Sequence, residues 1–313
     1  MSEDGLVKRL LGGDRRALAR VISKIEREDP GAPAMIRELY PRTGDAITVG
    51  FTGPPGVGKS SIIAKLIRLY REEGKKVGVV SVDPSSPFTK GAILGDRIRL
   101  ADHFLDRDVF IRSMGSRGHL GGLAGASKLV ALAMEANGCD VVIFETVGVG
   151  QGEVEVASAA DTVVLCLQPG TGDAVQALKA GVMEVADVFC INKADHPRAK
   201  GAASEVRSIL EIGHELDPDA PVPPIVMTRG DSGEGVGELK EKIEEHREFL
   251  VQSGRMEERH LASIKEFVLS WAKDKLEKAL QERLAREDAD LMEKVRRREV
   301  DPISAAETLY KEG

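Results

Sequence analysis

Ile47-Thr-Val-Gly-Phe-Thr52-Gly53-Pro54-Pro55-Gly56-Val57-Gly58-Lys59-Ser60 opens as a β-branched apolar run, breaks into glycines and prolines, and gives way to the amphipathic stretch Ser60–Arg71. The segment from Gly53 to Ser60 fits the pattern GxxxxGK[ST] in full, and its flanks are the strand and helix that the pattern needs. Glycines let the backbone curl so that successive N–H groups point at phosphate oxygens, and the helix start adds the positive end of its dipole. Lys59 would reach the β- and γ-phosphates, and the Ser60 hydroxyl would ligate Mg²⁺. Ser61 completes the predicted phosphate-binding set. The bland alternative, a plain glycine-rich turn, does not account for both flanks.

The same alternation continues outward from this loop. Strands are expected at Ile47–Thr52, Val77–Val82, Val109–Ile111, Val141–Glu145, Thr162–Leu167, Val188–Asn192 and Ile225–Thr228, with helices at Ser60–Arg71, Ala124–Ala136, Ala174–Val185 and Ala199–Ile212. Strands separated by helices predict an α/β fold with a mostly parallel sheet covered on both faces, a P-loop NTPase. Residues 1–42 read as an N-terminal helical extension, with Asp14 placed to cap its second helix. Residues 43–250 read as the nucleotide-binding domain. Residues 251–313 read as a C-terminal helical arm, on which Leu261, Ile264, Val268, Trp271, Leu276, Leu280 and Leu284 mark an apolar stripe that needs a cover, its own domain or a dimer partner.

Composition narrows the function. The chain of 313 residues carries a net charge of −7, which argues against a sequence-blind grip on nucleic acid. No apolar run is long enough for a membrane span, and the N-terminus lacks the apolar core of a signal peptide. Cys139, Cys166 and Cys190 are scattered in or beside apolar runs and form no CxxC pair, which reads as reduced buried thiols in a cytoplasmic protein.

Two further motifs carry chemistry. Asp140-Val-Val-Ile-Phe-Glu145 is an apolar strand ending in an acid, and Glu145-Thr-Val-Gly148 has the DxxG spacing with Glu for Asp. Gly148 would offer its N–H to a γ-phosphate. Octahedral Mg²⁺ takes carboxylates or waters besides the Ser60 hydroxyl, so Glu145, Asp83 and Asp96 are candidate ligands. Any one of these acids could instead be a cap or a surface charge. Asn192-Lys193-Ala194-Asp195 follows another strand. A carboxylate such as Asp195 can accept from both N1–H and N2–H₂ of guanine, a pair that adenine lacks. Asn192 can donate toward the acceptor edge of the ring, and the Lys193 stem can lie along its face. This selects GTP over ATP.

Several blocks in order carry a resemblance: Gly53–Ser60, Val82-Asp-Pro-Ser-Ser-Pro87, Gly91-Ala-Ile-Leu-Gly-Asp-Arg97, Arg117-Gly-His-Leu-Gly-Gly122, Glu145-Thr-Val-Gly-Val-Gly-Gln151, Pro169-Gly-Thr-Gly-Asp173 and the Asn192–Asp195 motif. Together they resemble the MeaB family of G3E-class P-loop GTPases, also labelled ArgK or lysine/arginine/ornithine transport ATPase. The resemblance implies a homodimer, in keeping with the GTP/GDP and Mg²⁺ read from the motifs. In Ras-type GTPases a Gln follows the DxxG glycine, whereas Val149 stands there in this chain, so slow intrinsic hydrolysis is expected, with Glu145 or a switch acid such as Asp96 helping to position water. The resemblance also implies a partner: adenosylcobalamin-dependent methylmalonyl-CoA mutase or a related acyl-CoA mutase, whose cofactor loading it assists and which it protects. Asp83 to Asp96 then looks like a first switch, Glu145 to Gln151 a second, and Pro169 to Lys179 a third, with Lys179 as a partner-sensing or catalytic contact. The family's base-binding loop usually reads Ser-Ala. This chain has Thr228-Arg229-Gly230-Asp231 there, and Arg229 and Gly230 are assigned to the base end of the site. Competing readings are a nickel-insertion GTPase of the same class, which usually shows a His-rich or Cys/His metal motif, an ATP-driven transport or kinase role, and a nucleotide-gated scaffold.

Overall fold

The protein is described here by a computed structural model covering residues 3–83, 100–115, 122–146, 155, 159–170, 182–216, 221–286 and 289–311. Seven strands, β1 (Ile47–Thr52), β2 (Val77–Asp83), β3 (Val109–Gly115), β4 (Val141–Thr146), β5 (Thr162–Leu167), β6 (Val188–Ile191) and β7 (Ile225–Met227), form one sheet. Its order is β3-β2-β4-β1-β5-β6-β7 and every neighbouring pair is parallel. The chain leaves β1 toward one edge, returns at β4, and then builds the other half. Loops after β1 and its neighbours therefore converge at the carboxyl ends of the central strands, where ligands of such sheets collect.

Both sheet faces are covered, which is why the strands read as continuous apolar runs rather than alternating ones. On one face Val49, Phe51, Val79, Ile143 and Val164 pack under α4 (Lys59–Glu72) and the later helix Val236–Gln252. On the other, Val80, Val82, Val142 and Phe144 pack under α5 (Gly122–Ala136). That helix is apolar nearly all round because it is buried on both sides: α1 (Glu3–Leu11), α2 (Arg15–Glu26) and α3 (Ala32–Leu39) lie over it and share its core through Leu10, Leu18, Ile22 and Met35. Asp14 caps α2, its Oδ1 accepting from the N–H groups of Arg16 (2.8 Å) and Ala17 (3.1 Å). A third cluster joins α6 (Ala199–Leu216) to β5 and β6 through Ala203, Val206, Leu165 and Phe189. The breaker before β1 is tied down from α5: one oxygen of Glu135 accepts from the N–H groups of Gly44, Asp45 and Ala46 at 2.6–2.8 Å.

Beyond α7 (Val236–Gln252), α8 (Arg255–Arg286) runs for 32 residues, followed by α9 (Ala289–Arg296) and α10 (Pro302–Lys311). The stripe expected on this arm divides. Phe267 and Trp271 pack on the core of α2, α3 and α5, whereas Leu261, Ile264, Val268 and Leu276 are exposed. The start of α8 is fastened to the amino ends of β5 and β6. Arg259 forks onto Asp187 (2.8 and 3.0 Å), and His260 Nε2 pairs with Asp161 Oδ1 at 2.8 Å.

The Asp161 partnership raises the pKa of His260 above its ordinary value, against a smaller opposing effect of burial. A raised histidine pKa adds stability below its unfolded value, about 6.5, and that stability is lost as pH rises through the folded value. The imidazole is 43% exposed, so its contribution stays below about 1 kcal/mol. His260→Ala should therefore lower the melting temperature more at pH 6 than at pH 9. An equal loss at both values would mean that the pairing carries no charge.

Candidate functional site

Between the last residue of β1 and the first of α4, the chain makes a tight loop that only glycine fits at two points. Gly53 has φ 139°, and a Cβ there would stand 2.1 Å from the Cys166 carbonyl oxygen of β5. Gly58 has φ 98°, and its Cβ would meet Asn192 Nδ2 at 2.3 Å. The loop is thus pinned between a neighbouring strand and the Asn192 side chain. Lys59 is buried and folds back to donate to the carbonyl oxygens of Gly53 and Pro54 (3.0 Å to the latter). Ile62, Ile63, Leu66 and Ile67 bury the inner face of α4, fixing its N-terminus at the loop. Pro54 and Val57 are buried, whereas Pro55 and Gly56 are exposed. This arrangement can cradle an anion with backbone N–H groups, a helix N-terminus and one ammonium.

Ser60 Oγ donates to Glu145 Oε1, and both side chains are buried. The contact follows from register, because Phe51 pairs with Glu145 across β1 and β4 and Ser60 stands at the start of the helix that β1 feeds. A hydroxyl and a carboxylate in contact are hard oxygen donors. With phosphate oxygens and waters they suit Mg²⁺, which keeps several waters and needs few protein ligands. Asp83 ends β2 beside Gly115 of β3, at the same carboxyl end of the strands as Glu145. Asp96, Gly148 and Lys179 lie outside the described residues.

At the other end of the cleft, Asn192 is a strut. Its Nδ2 donates to the Val57 carbonyl at 2.6 Å, and its Oδ1 accepts from the Gly230 N–H (2.9 Å) and the Thr228 hydroxyl (3.2 Å). One buried amide therefore joins the phosphate loop to the 228–230 loop. Gly230 is wedged over α4, where a Cβ would meet Ile62 Cγ1 and Ser61 Cβ, each at 3.2 Å. Lys193, at φ 58°, lays its side chain over the phosphate loop, with Nζ 3.3 Å from the Gly56 oxygen and bonded to Gln168. Asp195 is 58% exposed at the mouth of the cleft, with Arg229 Nε 3.6 Å from its Oδ1. The structure thus brings Lys59, Ser60 and Glu145 together at one end and Asn192, Lys193, Asp195, Arg229 and Gly230 at the other. Thr228, at the head of the expected base loop, joins the site through Asn192, and Gln168 joins it through a contact with Lys193 that no motif announced. The thiols of Cys166 and Cys190 are buried side by side behind the loop; their mutual hydrogen bond and burial hold the Cys166 pKa well above the ordinary thiol value, so these are inert core groups.

The sheet order, the phosphate cradle at the end of β1 and the base-reading tetrapeptide at the end of β6 define a P-loop nucleotide-binding protein of the GTPase type. The chain belongs to the family described as methylmalonyl Co-A mutase-associated GTPase MeaB, whose model matches residues 18–285. A Pyrococcus abyssi relative that carries the name "Putative GTPase" is 46% identical, covering 99% of this chain and 96% of its own. The methylmalonic aciduria type A homolog of Caenorhabditis elegans, a mitochondrial protein, is 33% identical over 98% of this chain and 82% of its own. A crystal structure titled as a LAO/AO transport system kinase superposes with a TM-score of 0.68 at 27% identity, covering 99% and 98% of the two chains. At the level of the family, the chain is a GTPase that binds guanine nucleotides. Among the described residues, no helix is long and apolar enough to cross a membrane.

Proposed function

We propose that this protein is a Mg²⁺-dependent GTPase of the cytoplasm that acts as a chaperone for an adenosylcobalamin-dependent acyl-CoA mutase, methylmalonyl-CoA mutase being the first candidate. The observation that carries the nucleotide reading is the Asn192 strut, because it fixes the phosphate loop and the base loop as two ends of one cleft. Lys59 neutralises charge on the β- and γ-phosphates, and Asp195 accepts from the guanine edge. Ser60 and Glu145, with Asp83 and Asp96, would hold Mg²⁺, which would supply charge neutralisation at the transferred phosphate. Gly148 offers its N–H to the γ-phosphate. Val149 rather than Gln follows Gly148 in sequence, which supports slow turnover in isolation, with the partner completing the site near Lys179.

The partner reading is supported by the family's description and by the name of the nematode relative. The dimer reading is supported by the exposed Leu261, Ile264, Val268 and Leu276 on α8, since an apolar stripe this long is stable in water when a second copy covers it. In this reading residues 1–42 and 251–313 flank the nucleotide-binding domain as cover and dimerisation arm.

The test is turnover of GTP and ATP by the purified protein, with and without a cobalamin-dependent acyl-CoA mutase from the same source. Stimulation of GTP hydrolysis by about tenfold or more, with ATP inert, is the expected result, because completing a phosphoryl-transfer site in trans has effects of this order and larger. GTP turnover that the mutase leaves unchanged would remove the chaperone role and keep the GTPase.

A further inference from the structure

Arg229 occupies a place in the base loop where its charge is surrounded. Its Nε lies 3.6 Å from Asp195 Oδ1, Nη2 lies 3.7 Å from Asp231 Oδ2, and Nη1 lies 3.5 Å from Glu234 Oε2. The three carboxylates are 58%, 76% and 71% exposed, whereas the arginine side chain is only 35% exposed. Its Nε is buried and has no hydrogen-bond partner. The backbone that presents it is rigid: Arg229 N–H donates to the Glu234 oxygen at 2.9 Å, Gly233 N–H donates to the Arg229 oxygen at 2.7 Å, and the next residue, Gly230, is held by Asn192. A buried donor without a partner is costly, and this one stands a small side-chain movement away from Asp195.

We propose that Arg229 is a positioning residue for guanine selection. As the base enters, Arg229 Nε–H closes onto Asp195 Oδ1 and holds the carboxylate edge-on to the base. One oxygen then meets N1–H and the other meets N2–H₂. An aspartate left alone at the cleft mouth would sample several rotamers, each well hydrated, and two-point recognition would have to order it first. The planar guanidinium removes that freedom in a way an ammonium does not. It also offsets Asp231 and Glu234, whose charges otherwise crowd Asp195 at short range. This inference rests on the guanine reading of Asp195 given above.

The test compares GDP, IDP and ADP binding to the full-length wild type and to Arg229→Lys, Arg229→Gln and Arg229→Ala, at low and high salt. Hypoxanthine keeps N1–H and lacks the 2-amino group, so it reports one contact where guanine reports two. Loss of the orienting group should weaken GDP about tenfold in the Gln and Ala variants and IDP about twofold or less, a difference of about fivefold, which is the order of one net hydrogen bond. High salt should recover part of the GDP affinity in these two variants by screening the three acids, and should not do so in Arg229→Lys, which keeps the charge. The lysine variant should still discriminate guanine from hypoxanthine less well than wild type. Equal losses for GDP and IDP would mean that the substitution disturbs the loop as a whole, and unchanged affinities would mean that Asp195 orients itself; either result overturns the proposal. If Arg229→Ala does not fold, the Gln and Lys variants carry the measurement. Wild-type protein that binds ADP as tightly as GDP would instead defeat the guanine reading, and this outcome is visible before any variant is made.

Discussion

Replacing Lys59 with alanine is expected to lower GTP turnover by about a thousandfold while the chain stays folded. The Nζ group is buried at the centre of the loop, donating to the Gly53 and Pro54 oxygens. In the proposed mechanism these bonds exchange for contacts to the β- and γ-phosphate oxygens. Charge-assisted bonds of this kind are worth about 1.5–3 kcal/mol each, and charge builds on the transferred group during reaction, so a loss of about 4 kcal/mol of transition-state stabilisation corresponds to about three decades in rate. Stability should fall much less, because the hydrophobic face of α4 stays packed through Ile62, Ile63 and Leu66. Arginine should not rescue the activity, since the slot is shaped for a slender stem beneath tightly approaching backbone. The measurement is kcat and KM for GTP together with a thermal melt. A turnover within tenfold of wild type in a folded variant would show that Lys59 is a structural tie for the loop.

The sheet was legible from pattern because its strands are buried on both faces, so apolar runs alone mark them. Where the pattern falls short, a tertiary contact explains it. β3 was expected to stop at Ile111 but continues to Gly115, because Arg112 finds a partner off the strand: its guanidinium binds Glu26 (2.7 Å from Nε to Oε1) and Ser23 of α2 (3.2 Å). Nothing local to residues 109–115 announces that partner. β6 and β7 each end one residue earlier than expected, because Asn192 and Thr228 turn out of the sheet to build the base loop. The phosphate loop was legible because its glycines, lysine and serine are contiguous. The Ser60–Glu145 contact was legible as a shared metal role, although the register that makes it belongs to the folded sheet. The Asn192 strut was not legible: a tetrapeptide motif points to the base, whereas the partner on the phosphate loop is 135 residues away in sequence. The blocks holding Asp96, Gly148 and Lys179 lie outside the described residues, so their roles rest on sequence and resemblance.

Asp195→Asn is expected to weaken GDP binding by about a hundredfold or more and to strengthen binding of xanthine nucleotides. A carboxylate presents two acceptors to the two donors of the guanine edge. An amide presents one acceptor and one donor, so when its oxygen meets N1–H its NH₂ group faces the 2-amino group, donor against donor. Two charge-assisted bonds are then replaced by one neutral bond and one unpaired group. At about 1–3 kcal/mol for each loss, the sum is about two decades or more in affinity. Xanthine carries an oxygen where guanine carries the 2-amino group, so the same amide meets it with matched donor and acceptor. Removing Asp195 should leave the phosphate end intact, since Asn192 rather than Asp195 ties the two loops together. The loss should therefore appear in guanine affinity and not in thermal stability. Competition binding with GDP, XDP and ADP reads all three consequences at once. A variant that keeps its preference for GDP over XDP would place the guanine edge away from Asp195 and reopen the assignment of this end of the cleft.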